Sequence, residues 1–143
     1  MTILAIDPGV TTGVAISHDE GPHSTLVTRN PRDLWILFDK HKPSIVVYED
    51  FNTPGKISKD GLFTVRLIGA IEVVCYERGI RTCLQYPHER YQFLTASKAI
   101  LQATGNKFME HQMDALAHLL VYEYRVSIGS IEEIMSKRRS NLV

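Results

Sequence analysis

Two short apolar segments, residues 2–7 (TILAID) and 44–49 (SIVVYE), each run straight into a carboxylate, and a helical segment lies between them. Both have the length and β-branched content of buried strands, and Pro8-Gly9 closes the first with a turn. Residues 13–17 and 24–29 read as two further strands after short turns, so the first three strands form an antiparallel meander. Asn30-Pro31 then supplies an N-cap and a proline at the first helical position. Leu34, Trp35, Leu37 and Phe38 give that helix an apolar face as far as Lys42-Pro43. A strand reached through a helical crossover lies parallel to its neighbour, most simply the first strand. Asp7 and Glu49 then finish at one sheet edge about 4.8 Å apart, and charges gathered so closely call for a compensating cation.

The rest of the chain continues the alternation. A polar loop over 52–60 carries Pro54-Gly55 and two lysines. Residues 61–78 read as a long helix that is apolar almost all round, ended by Gly79, and so expected to be buried on more than one side. Residues 81–86 form a fifth strand, 88–104 a helix ended by Gly105, and 110–126 the last long helix. Residues 130–137 form a short helix leading into the basic tail Lys137-Arg138-Arg139. The order βββαβαβα predicts an α/β fold, a mixed five-stranded sheet (antiparallel meander plus two parallel strands) flanked by helices. With 143 residues and 44% hydrophobic content, one domain over 1–143 is expected.

Composition narrows the class further. No run approaches the ~18 apolar residues of a membrane span, and Asp7 interrupts the first apolar run too early for a signal peptide, so a soluble cytoplasmic protein is expected. Cys75 and Cys83 form neither a Cys-x-x-Cys pair nor a disulfide framework and read as reduced structural thiols. The formal net charge of zero argues against coating nucleic acid by charge alone. Charge is nevertheless uneven: residues 1–50 hold four Lys/Arg against seven Asp/Glu, leaving an excess of positive charge in the remainder. An acidic centre flanked by basic surface has this pattern.

On the last helix His111, Asp114, His118, Tyr122 and Arg125 fall on one polar stripe, beside an apolar arc of Met113, Leu116, Ala117, Leu120 and Tyr124. Asp114 sits at the border, where a carboxylate can reach over the sheet edge. His111 lies three residues earlier, on the same side of one turn. Taken singly, Asp7 reads as a turn-forming residue, Glu49 and Asp50 as solvated strand ends, and Asp114 as a surface position. Taken jointly, they suit a hard divalent cation with oxygen ligands, and phosphodiester hydrolysis uses such ions to activate water and stabilise the leaving oxygen. Asp50 alternates to the opposite face of its strand, which favours Glu49.

The segments LAIDPGVTTGVAIS, IVVYEDFN and HQMDALAHLL, in that order, resemble the RuvC family of Holliday junction resolvases, within the RNase H-like superfamily. The resemblance spans roughly residues 2–126, with phage-borne or divergent bacterial members the closer match. It implies a homodimeric, Mg²⁺-dependent endonuclease that nicks a four-way DNA junction symmetrically in the cytoplasm of a bacterial or phage-infected cell. Asp7, Glu49 and Asp114 match the family's acids on the first strand, the fourth strand and the last helix. His111 falls where some members have a fourth acid and others histidine. As a ligand it would shift preference towards Mn²⁺; it could instead position water or phosphate, or be a surface histidine.

The resemblance also assigns DNA contacts. Phe51, Lys56, Lys59, Phe63 and Arg66 occupy the region that family members use at the junction centre, although Phe63 also suits the core. Lys98 resembles a lysine near the scissile phosphate and reads equally as a surface helix lysine. The helix over 61–78 corresponds to the family's dimer helix, and Gly69-Ala70 permits close packing. Three rivals stay open: an RNA nuclease of the YqgF type, an actin-like ATPase whose phosphate loop the segment Asp-x-Gly-x-Thr-Thr-Gly resembles, and a junction-binding protein without catalysis.

Overall fold

The computed structural model describes residues 1–52 and 55–129. The short helix and basic tail expected over 130–143 lie outside the described residues, as do Thr53 and Pro54 of the polar loop. The elements run β1 (Ile3–Asp7), β2 (Thr12–Ser17), β3 (Ser24–Thr28), α1 (Pro31–His41), β4 (Ile45–Glu49), α2 (Lys59–Arg78), β5 (Arg81–Gln85), a 3₁₀ segment (Pro87–Phe93), α3 (Leu94–Ala103) and α4 (Glu110–Ser127). Among the described residues no helix is long and apolar enough to cross a membrane.

The five strands form one mixed sheet in the order β3-β2-β1-β4-β5. β1 pairs antiparallel with β2, and β2 with β3, while β4 lies parallel to both β1 and β5. The crossover that makes β4 parallel is α1. Its Asn30 side chain accepts from Arg32 N–H at 3.1 Å, and Pro31 opens the first turn. At the far end Lys42 turns left-handed (φ 44°) and its N–H donates to the Phe38 carbonyl, releasing the chain into β4.

Strand parity divides the core into two layers. Ile3, Ala5, Ala15, Ile45, Val47 and Cys83 face α3 and α4, packing with Leu101, Leu116, Leu119 and Tyr122. Leu4, Ile6, Val14, Ile16, Val46 and Tyr48 face α1 and α2, packing with Leu34, Phe38, Leu67, Ile71 and Cys75. Because side chains alternate along a strand, Asp7 continues the series Ile3, Ala5, and Glu49 continues Ile45, Val47. Both carboxylates therefore point to the α4 side. Asp50 has the opposite parity, and its Oδ1 accepts from Phe51 N–H at 2.9 Å. The free cysteines are buried, one in each layer.

The α4 layer is thin on its sheet side. Ala5 and Ala15 are small, and Gly13 carries no side chain at all: a Cβ there would lie 1.9 Å from the His111 carbonyl oxygen. The first turn of α4 rests directly on β2, which fixes where His111 and Asp114 begin.

Three expectations need correction. The helix over 88–104 is two elements, because the 3₁₀ segment starts at Pro87 and α3 follows only from Leu94. The polar loop is shorter than its composition suggests, since Ser58 caps α2 by accepting from Gly61 N–H at 3.0 Å and so places Lys59 in the first turn. The α2 helix is not buried on more than one side. Leu67, Ile68, Ile71 and Cys75 are buried, whereas Leu62, Val65, Val73 and Tyr76 are exposed, the last by 85%.

Replacing Gly13 with alanine should push α4 off β2. The expected cost is about 1–3 kcal/mol, the usual range for forcing an extra group into a filled site, read from the urea midpoint. An unchanged midpoint would show that the helix does not rest on this strand.

Candidate active site

The β1 end is shaped by its turn. Thr12 Oγ1 donates to the Gly9 carbonyl at 2.8 Å, closing the bend between Asp7 and β2. Asp7 is buried, with Oδ2 3.1 Å from His111 Nδ1. Glu49 sits at the end of β4, one residue beyond the Ile6–Tyr48 pair that aligns it with Asp7. Asp114, on the second turn of α4, is also buried. Asp7, Glu49, His111 and Asp114 thus meet at one edge, with His111 the most exposed of them.

A fifth group stands among them. The Arg90 guanidinium, carried by the 3₁₀ segment, places Nη1 2.5 Å from Glu49 Oε1 and Nε 3.4 Å from Asp114 Oδ1. Its segment is fixed to the fold by Glu89, which accepts from Tyr86 N–H at 2.5 Å and pairs with Arg125 of α4 at 2.7 Å. A sixth group supports Glu49 from beneath. His118, fully buried one turn after Asp114, lies with Nε2 3.4 Å from Glu49 Oε1. Its Nδ1 is 2.6 Å from Gln85 Oε1, and Gln85 Nε2 donates to the His118 carbonyl at 3.2 Å. That second bond fixes the amide orientation, so Nδ1 carries the proton facing Gln85.

Neither Arg90 nor His118 was assigned to the site by sequence. His118 was legible as four residues past Asp114, but its stripe reads as polar surface; in the structure Asp114, His118 and Tyr122 are all buried. Arg90 follows the end of β5, the same edge at which β1 and β4 end, and that placement was the available signal.

Crowding shows in the acidities. Burial, with Glu49 and Asp114 nearby, pushes Asp7 up to about 9, against a smaller downward pull from Arg90. Burial pushes Glu49 upward too, but His118, Asp7 and Arg90 outweigh it and hold Glu49 down at about 2. Burial also raises Asp114, opposed by Arg90. The pair Asp7–Glu49 therefore shares one proton near neutrality, as adjacent carboxylates do when no divalent ion is present.

The remaining predicted residues are spread more widely. Phe51 and Phe63 pack against the core layer of α1 and α2, and Phe51 Cζ lies 2.8 Å from where a Cβ on Gly61 would be. Lys56, Lys59 and Arg66 are exposed, as is Lys98 on α3; Arg90 instead pairs with Glu49 and Asp114. A cleft of about 340 Å³ opens over the site, lined by Pro8, Glu49, Phe51, Thr64, Arg90 and His111 among others.

The donor set is that of a hard or borderline divalent ion, three carboxylates and an imidazole. Among the described residues, however, no three His, Cys, Asp or Glu side chains are already arranged as a metal-binding group. The donor chemistry fits, and Arg90 occupies the space between two of the donors.

No protein-family model and no curated protein matches the sequence. Solved structures do. The chain is similar to RuvC of Thermus thermophilus at 19% identity and a TM-score of 0.69, covering 91% of this chain and 98% of that one. It is similar also to T. thermophilus RuvC in complex with Holliday junction substrate, at 19% identity and a TM-score of 0.66 over 91% and 97%. Fowlpox virus resolvase, in a complex with Holliday junction DNA, matches at 11% identity and a TM-score of 0.55 over 84% and 97%. The fold is therefore the RNase H-like fold of these resolvases.

The acidities predict a pH signature in the metal-free protein. Asp7 is raised above its ordinary 3.8, so its contribution to stability is full below that value and is lost as pH rises towards 9. Glu49 runs the opposite way, present above its ordinary 4.5 and lost as pH falls towards 2. With chelator present, Asp7→Asn should melt several degrees above wild type at pH 8, and the gain should shrink towards pH 4. An equal melting temperature at both pH values would show that Asp7 is not held in a charge-poor setting.

Proposed function

We propose that this chain is a metal-dependent, structure-specific endonuclease that resolves four-way DNA junctions by paired symmetric nicks, acting as one nuclease domain in a homodimer. The observation that carries the reading is the meeting of Asp7, Glu49, His111 and Asp114 at one edge of an RNase H-like sheet. The similar structures of T. thermophilus RuvC and fowlpox resolvase were solved with junction DNA, which supports branched DNA as the substrate class.

Asp7, Glu49 and Asp114 would hold Mg²⁺, with His111 beside them at the exposed rim; a histidine in the set favours Mn²⁺ as an effective substitute. A bound divalent ion supplies activated water and stabilises negative charge on the phosphate. The protein's own share is positional. Strand parity aims Asp7 and Glu49 at α4, Gly13 sets the height of Asp114 and His111, and His118 with Gln85 backs Glu49 from the core. Lys56 and Lys59 are exposed in the segment that follows the cleft residue Phe51, where they would meet phosphates. Arg66 lies further along α2 on its exposed side, and Lys98 would act from α3. Phe51 and Phe63 serve this surface from partly buried positions.

Support for pairing comes from α2. Leu62, Val65, Gly69, Val73 and Tyr76 recur at helical spacing and fall on one exposed stripe running the length of the helix. A Cβ on Gly69 would meet nothing within 4 Å, so a second copy could approach the backbone there. An apolar stripe this long on a single chain suits association better than solvent.

Purified protein with Mg²⁺ or Mn²⁺ should place paired symmetric nicks in a four-way junction, and leave linear duplex and an RNA–DNA hybrid largely intact. Preferred cleavage of the hybrid would select an RNA nuclease instead. Asp114→Asn should abolish cleavage while junction binding persists, since removing negative charge near phosphates does not weaken attraction; loss of both together would argue against a catalytic role. Lys56→Ala with Lys59→Ala should flatten the dependence of log K on log salt by about 0.9 for each phosphate that is no longer neutralised. An identical slope would remove this segment from the interface.

A further inference from the structure

Three carboxylates gathered in one partly buried place require nearby positive charge, and the chain supplies some of it internally. One guanidinium spans two acids from different elements: Arg90 Nη1 on Glu49 of β4 and Nε beside Asp114 of α4. Its hold is uneven. Nη1 is well engaged, donating also to the Pro87 carbonyl at 2.9 Å, whereas Nε is buried without a hydrogen bond and sees Asp114 only at ion-pair distance. The backbone that carries it is fixed by Glu89 and Arg125, but the side chain lines the open cleft, with the Tyr91 ring 5.2 Å from the guanidinium.

We propose that Arg90 is the resident counter-ion of the metal-free site: it holds Glu49 and Asp114 in place and competes with the incoming divalent ion for the same carboxylate oxygens. This rests on the metal-site reading above. A guanidinium at 2.5 Å already uses Glu49 Oε1, so a cation taking that oxygen meets the Arg90 charge at close range, and the adjoining cleft leaves room for the guanidinium to be displaced. The measured affinity is then the intrinsic affinity reduced by the cost of that displacement. Arg90 thereby acts as a positioning residue, since it keeps two mutually repelling acids together until the ion arrives. The fork geometry matters, because a lysine carries the charge as a point and does not bridge two carboxylates in the same way.

Calorimetric titration of Mn²⁺ into wild type, Arg90→Gln and Arg90→Lys, without DNA, tests this independently of cleavage. Arg90→Gln should bind Mn²⁺ about tenfold more tightly, equivalent to ~1.4 kcal/mol of competition removed. Its melting temperature without metal should fall below wild type, and the rise on adding Mn²⁺ should be larger. Arg90→Lys should lie between the two, and carries the comparison if Arg90→Gln does not fold. Wild type that binds Mn²⁺, with variants that bind it equally or more weakly, would overturn the counter-ion role and leave the metal site standing. Absence of binding in all three proteins would overturn both.

Discussion

The approach of α4 to the sheet governs what happens at the carboxylate edge. Two acids come from strand ends and two candidate partners from a helix, and these elements share a site only if the helix lies almost on the backbone of the strands. Gly13, Ala5 and Ala15 make that possible by leaving little side chain between β2, β1 and α4. Such a gap is set by volume and not by attraction, so even one added carbon is felt. The buried His118 then becomes understandable: a helix drawn this close carries the residue one turn beyond Asp114 inside the protein, where Gln85 partners its Nδ1 and Glu49 lies 3.4 Å from its Nε2.

Electrostatics follows from this geometry. Bringing Asp7, Glu49 and Asp114 together under partial burial is unfavourable, and the chain meets the cost in three ways. Asp7 retains a proton over an extended range, Glu49 is held low by the His118 and Arg90 side chains beside it, and Arg90 lies across the gap between Glu49 and Asp114. The asymmetry between two adjacent acids has a structural origin. Glu49 has His118 and Arg90 beside it, while Asp7 has the two other acids and a histidine at the rim.

Much of this was legible in the sequence because it follows from period and punctuation. The turn at Pro8-Gly9, the capped helix from Asn30, and the parity of Asp7, Glu49 and Asp50 give strand order and facing without knowledge of packing, and the sheet agrees. What was not legible depends on distance between elements. Helical spacing puts Asp114, His118 and Tyr122 on one stripe, but whether that stripe meets water or protein depends on how closely α4 approaches β4, β5 and the 3₁₀ segment, and the last hides inside an apparently continuous helical pattern. Arg90 was missed for the same reason, as a basic residue in the first turn of a helix expected over 88–104 ordinarily points to solvent. The exposure of Val73 and Tyr76 is the converse case, since an apolar helix looks alike whether its second face meets its own chain or another.

The division of the core by strand parity has a consequence for how such a protein can change over time. The acids and the two groups that face them, Arg90 and His118, lie on the α4 side of the sheet, whereas the exposed stripe of α2 lies on a helix packed against the opposite side. The sheet is therefore a partition between two sets of requirements. Substitutions that retune the outer surface of α2 need not disturb the small residues that seat α4, and one surface is free to diverge under its own selection while the other is held.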